Sequence, residues 1–502
     1  MKKHHLWLGA VFLVVLSVRL FFAFQTPYFS SDDAYFTLRQ VEHITDHGIP
    51  LYEDPFSYSG NELVFSPGFY YILAFFDLFM PLTVVGKLIP NIFASMLIFI
   101  AYLIAYEITR KSSASIFAAF ISGFIPVYFK ETVNTISVYS LTVPLTFLML
   151  YIFMKVEKEE KQYVYPFILL TFIFPFIHPS VLLLVLTLVF YIALAKTEDV
   201  RLKRSEVELT LFTVLLSLWM LFLLYKEAFL FHGPLLIWQN LPAALLSSYF
   251  RDFNILEAIY KIGVVPFVYG VITMYRYIFL EKKKKIYMLI SFSVPVIILL
   301  WLKLMTLDTG LIFLGASFSV LYSQHFKSQR GYLKKTKIAR MRNIFIVTMG
   351  ITFFLTSVVP SVMYADQEIS AVPKQDEIEA LLWIKENTGE DSVVLAPVQE
   401  GHLVSYYAER RNVADSNFLL IEDASQTVKD IETMYTTAYL TEAVTLLTEY
   451  NVDFILVSPA AGRIFDIEEL PYPRDRCFEL VRNGNTRVYE SICVMEEKQK
   501  DG

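Results

Sequence analysis

Charge is scarce in this chain. Asp, Glu, Lys and Arg make up 18% of its 502 residues, against 55% hydrophobic residues, and Phe alone occurs 44 times. A water-soluble domain needs a polar shell that such a composition does not supply. Cysteine is nearly missing. Cys477 and Cys493 are the only two, so a Cys-x-x-Cys-His haem attachment is excluded. A Walker loop, a glycine-rich dinucleotide fingerprint and a Gly-x-Ser-x-Gly nucleophile elbow are missing as well. Nucleotide-dependent chemistry therefore has no support, and a donor that lives in the membrane fits better. No internal repeat is evident, which argues against a transporter built from two similar halves. Nothing points to a nucleic-acid partner.

What is present is apolar sequence in long runs. Mean hydropathy is +0.48, and stretches of the roughly 18 or more residues needed to cross a bilayer recur along residues 1–364. The first, Leu6 to Phe24, carries Arg19 and has no small-x-small cleavage site before Pro27, so it reads as a retained span rather than a signal peptide. The runs predict a multi-pass helical membrane bundle of about 11 spans. Met1-Lys2-Lys3 is basic, as are Lys282–Lys285 and Lys327–Arg342. Placing those stretches in the cytosol puts the N-terminus inside and the C-terminal end outside a cell membrane.

After Tyr364 the composition changes. Residues 365–502 hold 12 Lys and Arg against 27 Asp and Glu, a net of −15, whereas residues 1–364 hold 31 against 22, a net of +9. The boundary predicts a polytopic domain over 1–364 and an extracytoplasmic α/β domain over 365–502. Strands are expected over Ser392–Pro397, Arg411–Ala414 and Val452–Ser458, alternating with helices. Cys477 and Cys493 flank a hairpin whose turn is Asn483-Gly484-Asn485. They can close a disulfide if the tail is outside the cytosol; otherwise they are two small strand residues.

The candidate chemistry lies in the first outer loop, residues 25–66, which opens on Ser30-Ser31-Asp32-Asp33-Ala34-Tyr35 and continues to Arg39. A helix starting there places Asp32, Tyr35 and Arg39 at i, i+3 and i+7 on one face. The simplest account of the two acids is a serine cap followed by first-turn carboxylates that complement the helix dipole. A carboxylate fixed at a helix start can also serve as a base or a metal ligand. Two cations elsewhere, Arg251 in the long outer segment near residues 226–257 and Lys303 at the outer end of a span, could hold a phosphate. For Lys303 the alternative is snorkelling to the surface. His43 and His47 stand at helical spacing without a third ligand nearby. His178-Pro179, at a turn between spans, reads as a structural histidine satisfying a helix end.

Several short motifs together resemble GT-C membrane glycosyltransferases, the superfamily of archaeal oligosaccharyltransferase catalytic subunits and protein O-mannosyltransferases. In the first outer loop they are Ser31-Asp32-Asp33-Ala34-Tyr35, Arg39, Gly48-Ile49-Pro50, Asp54-Pro55 and Ser66-Pro67. In the tail they are Leu382-Trp383-Ile384-Lys385, Ser392-Val393-Val394-Leu395, Gly401-His402, Tyr406-Tyr407-Ala408-Glu409-Arg410 and Val413-Ala414-Asp415. The resemblance implies a polyprenyl (dolichyl)-phosphate-linked sugar donor and a protein or glycan acceptor outside. It implies Asp33 as the catalytic carboxylate or as a ligand of Mg²⁺ or Mn²⁺, with Asp32 and Arg39 in the same site; Arg39 joins Arg251 and Lys303 as a candidate phosphate-binding cation. The sequence also departs from the pattern. Where oligosaccharyltransferases carry Trp-Trp-Asp-Tyr-Gly, this chain has Pro397-Val398-Gln399-Glu400-Gly401, and the second outer loop offers Asn134-Thr135-Ile136 in place of Asp-x-Asp. Those losses keep a second reading open: a non-catalytic relative that binds or assembles lipid-linked glycans.

Overall fold

A computed structural model describes residues 2–156, 161–233, 254–335, 339–472 and 476–493. The chain divides into two compact units. One comprises residues 1–27, 66–226 and 249–371, and the other residues 28–65, 227–248 and 372–502.

The first unit is a helical bundle. Six of its helices are long and apolar enough to cross a bilayer, beginning at His4, Leu82, Tyr139, Arg204, Lys284 and Ile344. A seventh is counted if the bent pair Ile255–Ile262 and Val264–Phe279 forms one span. Gly68–Asp77, Ser112–Gly123, Val164–Ile177 and Val181–Thr197 are shorter apolar helices. By length among the described residues, the count is thus six or seven rather than the eleven expected from hydropathy. The bent pair turns by 113° at Gly263. That residue has φ +98°, and a Cβ on it would lie 2.0 Å from Ser357 Oγ, so only glycine fits the corner. The bundle core is aliphatic and aromatic, with Phe147, Phe153, Tyr287, Phe292 and Phe313 fully enclosed.

The bundle also buries charged and amide side chains that hold one another, as a low-dielectric interior favours. Arg19, fully buried, donates to Thr132 Oγ1 at 2.9 Å and lies 4.2 Å from the centre of the Phe129 ring. Lys87 donates to Asn134 Oδ1 at 2.5 Å, and Asn91 donates to the Val133 carbonyl. Lys130 bridges Glu131 at 2.9 Å and Asp308 at 2.7 Å, and Asp308 is also paired with Lys261. His178 accepts from the N–H of Ser180 at 3.0 Å, at the start of the helix Val181–Thr197.

The second unit is built on a sheet. A small antiparallel ribbon pairs β1 (Glu53–Asp54) with β2 (Asn61–Glu62). The main sheet contains β3 (Val393–Leu395), β4 (Arg411–Asn412), β5 (Phe454–Val457), β6 (Phe478–Arg482) and β7 (Arg487–Ser491), in the order β4-β3-β5-β7-β6. β3 runs parallel to both β4 and β5, and the terminal hairpin adds to β5 in antiparallel fashion. β3 and β5 are buried at every position, as their unbroken apolar runs demand. Helices Gln375–Asn387, Ala424–Thr436 and Leu440–Glu449 accompany the sheet. Cys477 and Cys493 are joined by a disulfide across the base of the hairpin. The stretch after span one folds with this unit: the N–H of Asn412, on β4, donates to the carbonyl of Phe56 at 2.8 Å.

Candidate functional site

The helix Asp32–His47 begins where the sequence places it. Ser31 holds the N-cap position in extended conformation (φ −105°, ψ 136°), without a side-chain cap bond, and Asp32 and Asp33 fill the first turn. Gly48 ends the helix at φ +81°, its N–H returning to the Ile44 carbonyl. Tyr35, Leu38, Val41 and Ile44 bury one face. Tyr35 lies in a cluster with Tyr406 and Tyr407, at 5.7 and 5.6 Å between ring centres. Phe36 packs on the His402 ring at 5.0 Å.

This packing gives the two adjacent acids different partners. Asp32 points at the start of another helix. Its Oδ1 accepts from the N–H of Leu403 at 2.8 Å and its Oδ2 from the N–H of His402 at 3.1 Å. It caps, from 370 residues away in sequence, N–H groups that no residue of their own helix could satisfy. Enclosure of the carboxyl pushes its pKa well above the usual carboxylate range; the two N–H donors oppose that shift, and Asp33 and Asp415 add to it.

Asp33, one position on, is exposed. Its Oδ1 accepts from Ser416 Oγ at 2.8 Å, and its Oδ2 accepts no hydrogen bond among the described residues. Ser416 Oγ lies 3.1 Å from Nε2 of the fully buried His402. The other ring nitrogen, Nδ1, stands 3.7 Å from Asp415 Oδ2. Asp415 is also fully buried. Its Oδ1 accepts from the N–H of Asn417 and its Oδ2 from Asn412 Nδ2, while its carbonyl accepts from the Tyr58 hydroxyl. Gly401 makes this close approach possible, because a Cβ there would lie 2.4 Å from the Ala414 carbonyl oxygen and 2.5 Å from Asp415 Cβ.

Arg39 is committed elsewhere. Both guanidinium arms bond the Asp54 carboxylate, at 2.7 and 2.8 Å, and Asp54 is almost wholly buried. A fork filled in this way has little left for a phosphate. Lys303 belongs to the other unit, exposed in the turn after the helix Lys284–Trp301, at φ +56°. Arg251 lies outside the described residues. His43 and His47 stack on each other at 4.3 Å and direct Nδ1 at the carbonyls of Ile49 and His43.

The fit to a divalent metal is poor. Asp33 accepts from Ser416 on one oxygen, and each oxygen of Asp32 accepts from a peptide N–H. Among the described residues no three His, Cys, Asp or Glu side chains come together as a ligand group. The carboxylate beside Asp33 is turned to main-chain N–H groups and not toward a shared ligand position, so no step below passes through a metal.

Sequence reasoning reached Asp32 and Asp33 but missed the side chains that divide their work: Ser416, His402, Asp415 and Asn412. The signal was present in Gly401-His402 and Val413-Ala414-Asp415, which read as motifs but not as partners of the first outer loop.

No family model and no curated protein sequence matches this chain. Solved structures do. The Archaeoglobus fulgidus oligosaccharyltransferase in its apo form superposes with a TM-score of 0.69 at 14% identity, over 90% of this chain and 69% of that one. The same protein, AglB, in complex with an inhibitory peptide and a dolichol-phosphate gives 0.64 at 14% identity over the same shares. Its complex with Zn and sulfate gives 0.62 at 15% identity, over 89% of this chain and 67% of that one. ArnT from Cupriavidus metallidurans, bound to undecaprenyl phosphate, matches at 0.54 with 11% identity over 98% of both chains. At these identities the likeness is one of fold: the chain shares the fold of AglB and of ArnT.

Proposed function

We propose that this protein is a membrane glycosyltransferase that moves a sugar or glycan from a polyprenyl-phosphate-linked donor to an acceptor on the extracytoplasmic side. The observation that carries the reading is the fold likeness over at least 90% of the chain to AglB and ArnT. Structures of those two hold dolichol-phosphate and undecaprenyl phosphate respectively. In this proposal the N-terminus is cytoplasmic and the C-terminal unit extracytoplasmic. The bundle reaches about eleven spans when the bent pair and the four shorter apolar helices all cross the membrane.

The chemistry asked of this chain is modest. Asp33 takes the acceptor's proton as the nucleophile attacks the anomeric carbon. The bond from that carbon to the donor phosphate oxygen breaks, and its electron pair leaves with the polyprenyl phosphate. In-line attack assisted by one carboxylate inverts the anomeric centre without a covalent sugar intermediate. The leaving phosphate's charge has to be balanced by a cation. Arg39 is left out of that role because Asp54 occupies it.

The test is transfer from polyprenyl-phosphate sugars by the purified full-length protein. Asp33→Asn is expected to lower the rate about a hundredfold or more, the usual size of a general-base contribution. Wild type that transfers nothing from any such donor rejects the enzyme. Asp33→Asn with full activity rejects the residue. The second reading, a non-catalytic binder of lipid-linked glycans, draws on Gln399. This exposed, uncharged amide stands where the resembled enzymes carry an acid. Donor binding without turnover would favour that reading.

A further inference from the structure

We infer that the cavity at the carboxyl end of β5 is a binding subsite for a sugar acid, a polyhydroxy ligand whose carboxylate is received by Lys374 and Arg487. The site lies wholly within the second unit, and it does not depend on the proposed transfer.

The cavity has a volume of about 410 Å³, within the range that holds small ligands. In sheets with parallel strands, ligands gather beyond the carboxyl ends of those strands. β5 runs parallel to β3, and the cavity opens where Val457 gives way to Ser458. Val457 pairs with Arg487 at the start of β7. Asn485 of the hairpin turn and Lys374, the residue before the helix Gln375–Asn387, also line the cavity.

The walls are braced by the unit's own bonds. Asp376 holds the turn. Its Oδ2 accepts from the N–H of Thr486 at 2.7 Å, and Arg482 donates to its carbonyl at 2.9 Å and to its Oδ1 at 3.2 Å. A Cβ on Gly484 would lie 2.8 Å from the same carboxylate, which these bonds keep in place. Ser458 Oγ bonds the Glu400 carboxyl and accepts from the N–H of Ala461 at 2.9 Å, which sets the path of the chain leaving β5.

The lining selects the ligand's charge. Acids outnumber bases 27 to 12 over residues 365–502. The charged side chains around this cavity are nevertheless two bases, Lys374 and Arg487, and one acid, Glu468. Lys374 is exposed, and among the described residues its ammonium makes no hydrogen bond and no ion pair; its charge is felt by the buried Glu377. Arg487 engages the Glu468 carbonyl at 2.6 Å, Glu469 at 3.2 Å and the Tyr489 hydroxyl. A guanidinium has five N–H groups, which leaves some over. Hydrogen bonds from both cations to a carboxylate are charge-assisted. Glu468 repels a second negative charge, which favours a single carboxylate over a phosphate dianion. Asn485 both donates and accepts, and Glu468 accepts, as hydroxyl groups require. Pro459 and Ile467 add an apolar patch for the C–H face of a sugar ring.

The test is a ligand-observed NMR titration of the full-length protein with sodium glucuronate, compared with glucose, glucose 6-phosphate and an Asp-rich peptide. Glucuronate is expected to bind with saturation and about tenfold more tightly than glucose, the equivalent of one hydrogen bond to a charged group. Lys374→Gln is expected to weaken glucuronate about tenfold while leaving glucose and the melting temperature unchanged. Lys374→Arg should keep most of the affinity, and Asn485→Asp, which adds a negative charge to the cavity, should lower it. Absence of saturable glucuronate binding overturns the inference, as does equal affinity for glucose. Tighter binding of glucose 6-phosphate or of the peptide overturns the ligand class, and Lys374→Gln with unaltered affinity overturns the site. None of these readouts is turnover, so a failure of glycosyl transfer and a failure of this subsite are separate results.

Discussion

Each carboxylate oxygen of Asp32 accepts from a peptide N–H, whereas the exposed carboxylate of Asp33 accepts from Ser416 on one oxygen. Substitutions at the two positions should therefore separate. Asp32→Ala leaves the N–H groups of His402 and Leu403 without acceptors, and it removes a helix cap. The expected cost is about 2 kcal/mol of stability, visible as a lower melting temperature, with activity lost only in proportion to unfolding. Asp33→Asn should melt like wild type and lose transfer. The reverse pattern would exchange the roles. The helix start itself was legible, because serine followed by two acids is what a first turn asks for. The roles were not. They depend on a serine 383 positions away, and local sequence carries no information about which of two adjacent carboxylates will meet it.

Among the elements, the short strands β3 and β5 could be read from their continuous apolar runs. The segment between them is less regular than its pattern suggested. The alternation predicts a helix between these strands, and the chain makes one turn at Gly401–Leu403 followed by a wider π-turn over Val404–Ala408. Such a bulge inserts a residue into the helical repeat, and no periodicity announces it. Gly401 shows why this segment cannot be loosened. Gly401→Ala would press a methyl group into the Ala414 carbonyl and Asp415, at an expected cost of about 1–3 kcal/mol. The neighbouring Glu400 supplies a pH signature. It is buried and accepts from Ser458 Oγ at 2.8 and 2.7 Å. Burial first, then the charge of Glu377, pushes its pKa up to about 8 from an ordinary 4.5. A carboxyl whose pKa is raised in the folded state holds a proton that the unfolded chain releases. Its stabilising effect is complete below about pH 4.5 and is lost as pH rises through about 8. Melting temperature should therefore fall between pH 5 and pH 8, and Glu400→Gln should flatten that slope. Equal slopes in the two proteins would reject the assignment.

At the scale of the whole molecule, the basic loops and the two cysteines each give a way to test the proposed placement of the tail. A net of −15 over residues 365–502 against +9 over residues 1–364 separates the halves by charge, and the positive-inside rule reads the short basic stretch Lys282–Lys285. The Cys477–Cys493 disulfide closes the terminal hairpin over a separation of 16 residues. A loop of that length is worth about 3 kcal/mol in the chain-entropy account, but only where the bond is not kept reduced, which means outside the cytosol. Intact cells give the test. With the tail outside, a maleimide reagent should leave Cys477 and Cys493 unlabelled until a membrane-impermeant reductant is added, and should then modify both. With the tail inside, permeant maleimide would label both without reductant, and the impermeant reductant would change nothing. The paired substitution Cys477→Ser with Cys493→Ser should lower the melting temperature of the oxidised protein and leave that of the reduced protein unmoved. The covalent link is then separated from any packing the two side chains provide.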